Sequence, residues 1–87
     1  SGLVGKLEGL GIVIGSHESL AGTNPYNNSI ISMVNMELES TASRLNADYV
    51  FGIDYRAEVI ENKQYTLGSG DAYRAGKKDT GAEDLVP

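Results

Sequence analysis

The chain has 87 residues, with seven Lys and Arg against twelve Asp and Glu, eleven Gly, and neither Cys nor Trp. That length builds one small core, burying about two-thirds of the unfolded surface, so two domains or a large enclosed cofactor site are excluded. The missing Cys rules out a disulfide framework, a thiolate zinc site and a Cys nucleophile; the net charge of −5 argues against a nucleic-acid footprint, and no apolar run approaches the ~20 residues of a membrane span.

Residues 7 to 20 centre on the β-branched run Ile12-Val13-Ile14, which is well short of a helix and predicts a strand. Gly11 and Gly15 bracket the run, as suits a bulge or a close backbone approach. Ala21 to Pro25 is loop chemistry. Ile31, Val34, Leu38, Ala42 and Leu45 then fall on one stripe of a 3.6-residue period, with Asn35, Glu39, Ser43 and Asn46 on the other side. This is the one predicted helix. Asn24 (with Pro25 at the first helical position), Asn28 and Ser29 are alternative caps for its start, and Asn46 suits a left-handed C-terminal residue.

Two alternating runs follow. From Asp48 to Ile60, Tyr49, Phe51, Ile53, Tyr55, Ala57 and Val59 share one face. From Gln64 to Ala75, Tyr65, Leu67, Ser69, Asp71 and Tyr73 share one face, and Thr66, Gly68, Gly70, Ala72 and Arg74 the other. The polar Glu61-Asn62-Lys63 between them predicts a hairpin. Residues 1–76 thus read as a single β-α-β-β domain and 77–87 as a flexible acidic tail. The expected fold class is α+β, two layers, with one helix packed on a small antiparallel sheet.

One helix covers one sheet face. A large apolar face left open usually marks an interface, so the subunit is expected to assemble through its sheet faces or edges. The expected homo-oligomer interface is Tyr49, Phe51, Tyr55, Tyr65, Leu67 and Tyr73. Such tyrosines can also stack a planar ligand, but more often fill an interface with their hydroxyls on polar partners.

Three segments carry a family resemblance. Residues 42–55, Ala-Ser-Arg-Leu-Asn-Ala-Asp-Tyr-Val-Phe-Gly-Ile-Asp-Tyr, resemble the A-x-x-L-G-A-(D/N)-A-V-V-G-(I/V) signature of the YbjQ-like family, the so-called heavy-metal-binding domain. Leu10-Gly-Ile-Val-Ile-Gly is similar to its first strand and Gly68-Ser-Gly-Asp-Ala-Tyr to its last, in the same order. The resemblance implies a β-α-β-β subunit in a ring, typically a pentamer, with the sheets as assembly surface. The chain departs from the pattern at Asn46, which replaces Gly, at Asp71, which replaces Thr, and in a shortened approach to the helix. The helix-strand junction also resembles that of small bacterial envelope lipoprotein domains.

The candidate chemistry is thin. His17, Glu18, Asp54 and Asp71 are the candidate metal ligands, but one His without Cys is a poor zinc or copper set, and neighbouring strand residues point to opposite faces. Asp54 and Asp71 would approach across the hairpin in one register, the basis of a minor enzyme reading; a solvated or inter-subunit rim with Arg56 or Arg74 is the simpler account. The glycine runs miss both the dinucleotide and the phosphate-loop spacings. The expectation is a bacterial, non-enzymatic, ring-forming protein without a cofactor, binding a small ligand or metal ion at subunit interfaces. Its expected place is the cytoplasm. The alternative is a periplasmic envelope module that binds another protein, if a signal peptide was removed before Ser1, since the chain opens without Met.

Overall fold

A computed structural model describes residues 6–76; the expected tail at 77–87 lies outside the described residues. Four elements follow one another: β1 (Leu7–Leu20), α1 (Asn28–Arg44), β2 (Tyr49–Ile60) and β3 (Lys63–Ala75). The strands form one antiparallel sheet in the order β1-β3-β2, and α1 lies over β1 and β3. This is the α+β sandwich that the sequence predicts. Among the described residues no helix is long and apolar enough to cross a membrane.

The helix starts on none of the three expected caps. Asn27 takes that role, its Oδ1 accepting the Ile30 N–H at 2.9 Å. Asn24 instead folds an Asx turn onto the Tyr26 N–H at 3.0 Å. Pro25 stays outside the helix, and its carbonyl accepts the buried Thr66 hydroxyl at 2.7 Å. The buried Gln64 amide donates to Thr23 O at 2.8 Å and to Ser19 Oγ at 3.1 Å. The β1–α1 loop is therefore tied to the central strand by side chains that would otherwise be buried without partners.

The helix ends as expected. Asn46 has φ 58°, the Asn46 N–H reaches Ser43 O at 2.9 Å, and the Ala47 N–H reaches Ala42 O at 3.0 Å. That pair of bonds is a Schellman closure, and it turns the chain straight into β2.

Ile30, Val34, Leu38 and Ala42 form the buried line of α1, with Val13 and Ala72 beneath. Ile31 is only half-buried and Leu45 is exposed, so the stripe expected from the sequence is shifted toward the N-terminus. The reason is closeness. A Cβ built on Gly15 would lie 2.6 Å from Val34 O and 2.8 Å from Leu38 N, so the helix backbone rests on the glycine. A helix held that near touches the sheet along one narrow i, i+4 line.

Two bulges interrupt the ladders. Gly11 at φ 107° shifts the β1–β3 register after Gly9, and Gly52 at φ 65° shifts the β2–β3 register between Phe51 and Asp54. The hairpin turn is shorter than predicted: Ile60 pairs with Lys63, leaving Glu61 (φ 51°) and Asn62 (φ 68°) as a two-residue turn of the primed kind.

Candidate functional site

The sheet face opposite α1 is open. Register fixes its membership, because residues directly opposite in an antiparallel ladder point to the same side. Thr66, Gly68 and Ala72 of β3 lie under the helix layer and are buried, so Tyr65, Leu67, Ser69, Asp71 and Tyr73 face out. Ile12 and Ile14 of β1 pair with Asp71 and Ser69, and Tyr49 and Phe51 of β2 with Tyr73 and Asp71. Ile12 is 69% exposed, Ile14 54% and Phe51 49%. The sequence places β-branched and aromatic residues here at a strand's period of two, and nothing in the described chain covers them.

Three aromatic rings gather at one end of this face. Tyr49 stacks on Phe51 with centroids 5.8 Å apart, and Phe51 meets Tyr73 at 5.5 Å in a tilted contact. Leu67 lies nearer the middle, beside a depression of about 300 Å³ lined by Ile14, Asp54, Arg56 and Ser69. Tyr65 sits further along, between Glu18 and Glu58.

Tyr55 is on the other side, a correction to the expected set of six. The bulge at Gly52 takes up an extra residue, so the alternation inverts after it: Tyr55 pairs with Gly68, under the helix layer. Its ring packs against the core, and its hydroxyl donates to Asn35 Oδ1. Ile53 moves with it, and would meet a Cβ on Gly70 at 3.1 Å. Asp54, Arg56 and Glu58 correspondingly face out, opposite Ser69, Leu67 and Tyr65. The sequence carried one signal for this inversion, since a glycine inside an alternating strand marks a bulge.

The candidate metal ligands do not converge. His17 pairs with Thr66 and so points to the helix side, whereas Glu18 lies on the open face, 3.8 Å from the Lys63 ammonium. Asp54 and Asp71 share the open face but not a ladder row: Asp54 stands opposite Ser69, and Asp71 lies between Ile12 and Phe51. Both are exposed. Among the described residues no group of three or more His, Asp or Glu side chains is placed to hold a metal ion. Arg74 is engaged elsewhere, with Glu8 at 3.3 Å.

On the helix side a second hollow of about 580 Å³ opens because α1 leaves β2 largely uncovered. Its floor is Val50 and Ile53, and its wall is the polar flank of α1 at Glu39, Ser43 and Asn46. Of the residues predicted to form the wet side of the helix, Glu39, Ser43 and Asn46 border this hollow, while Asn35 is turned to the Tyr55 hydroxyl.

The sequence matches no family model and no curated protein.

Proposed function

We propose that this chain is the subunit of a non-enzymatic, YbjQ-like ring that buries the open sheet face between identical copies. One observation supports the reading above others: Ile12, Ile14, Tyr49, Phe51, Leu67 and Tyr73 gather on one uncovered sheet face of a small domain, interrupted by Asp54, Ser69 and Asp71. Twelve β2 residues at about 3.3 Å each, across three strands about 4.8 Å apart, give a face of roughly 40 by 14 Å. That is on the order of 600 Å² for the whole face, its charged residues included, somewhat under one partner's share of a standard interface.

The same face argues for a structural role. Asp54 and Asp71 lie exposed in separate rows of the face rather than side by side in a buried cleft. A five-membered ring is what the YbjQ-like resemblance implies; to it the reading adds a place in the cytoplasm and a small ligand or ion held at the subunit boundaries. Native mass spectrometry of the full chain at micromolar concentration tests the reading. A closed species of several subunits supports it, and a monomer alone sinks it.

A further inference from the structure

We infer that the outer edge of β2 receives an extended segment of another protein, one that alternates apolar and mainly basic side chains. The contact lies on the free side of a strand and does not depend on burial of the open face.

The sheet order leaves two edges, β1 and β2. The first is guarded. α1 lies over β1, and Glu37 Oε1 accepts the Ser16 N–H at 3.3 Å. β2 has no such cover: α1 leaves it largely bare, and no other described backbone segment pairs with its outer side. An edge of this kind is a template for a further strand, whose main chain supplies affinity and whose alternate side chains supply choice. Past the bulge at Gly52 the pairing with β3 is regular over the seven residues Asp54 to Ile60, about 20 Å of usable edge.

The two sides of this edge differ. Tyr55, Ala57 and Val59 point to the helix layer, and Asp54, Arg56 and Glu58 to the open face. Directly opposite residues of an added strand share those sides. Its helix-side positions are therefore apolar, and its other positions run basic, acidic, basic. Beyond Asp54 the segment meets the hollow beside α1, with Val50 and Ile53 as floor and Glu39 and Asp48 in its lining. A Lys or Arg there lays its stem on the floor and its charge beside the carboxylates. With Glu61 in the turn, edge and hollow hold Glu39, Asp48, Asp54, Glu58 and Glu61 against Arg56 alone. The other described cations of α1 and β3 are engaged: Lys63 lies 3.8 Å from Glu18, Arg74 lies 3.3 Å from Glu8, and Arg44 bonds to Ser40 and Thr41. The complementary segment is basic overall.

The test titrates the full chain with the capped peptide Lys-Val-Lys-Val-Glu-Val-Lys-Val-Lys, whose pattern reads alike in either direction, and with its charge-reversed counterpart. Amide hydrogen exchange locates the contact. The basic peptide is expected to protect amides between Asp54 and Ile60, and to bind about tenfold or more tighter than the reversed one. The double variant Asp54→Lys, Glu58→Lys alters two exposed side chains and is expected to reverse that preference. Of the two forms of the basic peptide N-methylated at alternate residues, the one that blocks the edge-facing N–H groups is expected not to bind. Equal affinity for the two charge patterns, an unchanged preference in the double variant, or full binding by both N-methylated forms overturns the inference. Protection of β2 that grows with protein concentration in the absence of peptide also overturns it, because the occupant is then a second copy. A wild-type monomer that binds the basic peptide at β2 removes the ring and leaves this contact standing.

Discussion

Gly15 and Gly68 face each other across the β1–β3 ladder, and α1 rests on the bare patch they leave. The two glycines meet the helix differently. A Cβ on Gly15 strikes helix backbone, at Val34 O and Leu38 N, whereas one on Gly68 strikes side chains, nearest Val34 Cγ1 at 2.8 Å. Backbone cannot step aside without lifting the helix. Gly15→Ala is therefore expected to cost about 3 kcal/mol and Gly68→Ala about 1 to 2 kcal/mol, the range of overpacked cores. Urea unfolding at one fixed protein concentration reads both, since stability in an assembling chain depends on concentration. Equal losses, or the reverse order, contradict this account of the contact.

Tyr55 tests the inversion at the bulge. Its hydroxyl donates to Asn35 on α1, so Tyr55→Phe is expected to cost about 1 kcal/mol. A double-mutant cycle with Asn35→Ala should show coupling between the two positions. Additive losses would return Tyr55 to the open face.

Gly52 holds that bulge at φ 65° with only Asp71 Oδ2 near its missing Cβ, at 3.9 Å. The cost of a side chain here is conformational rather than steric. Gly52→Ala is expected to lose about 1 to 2 kcal/mol, and Gly52→Asn less, because Asn tolerates the left-handed region. The pair of melting curves decides it, and an Asn variant weaker than the Ala variant would argue against a left-handed bulge.

The β2–β3 turn is improvable. Glu61 and Asn62 both adopt positive φ, which Asn-Gly adopts with least strain. Replacing Glu61 by Asn and Asn62 by Gly together should raise stability by about 1 kcal/mol. A lower unfolding midpoint in the double variant would contradict the turn type.

Element order and the core were legible because they depend on local periodicity and on bulk. Ile12-Val13-Ile14 made a strand, Val34, Leu38 and Ala42 gave the helix its buried side, and Asn46 announced the helix end. Which way the second half of β2 faces was not legible from alternation alone. A single extra residue at Gly52 exchanges Tyr55 for Asp54 and Arg56 on the open face, and alternation carries no mark of a slip except the glycine itself. The cap at Asn27 was hidden for a similar reason: four cap-forming residues crowd 24 to 29, and the choice among them is made by Thr66 and Gln64 anchoring the loop from the sheet. Of the expected interface, Tyr49, Phe51, Tyr65, Leu67 and Tyr73 stand on one face, and the aromatic cluster at its end follows from cross-strand pairing that spacing within one strand does not reveal.

The central claim is that the open face is buried between copies. Sedimentation velocity of the full chain at micromolar concentration, beside the Phe51→Glu variant, tests it most directly. The account predicts a single species of several subunits for the wild type and a folded monomer for Phe51→Glu. A wild-type chain that sediments as a monomer, or a Phe51→Glu chain that assembles unchanged, would contradict it.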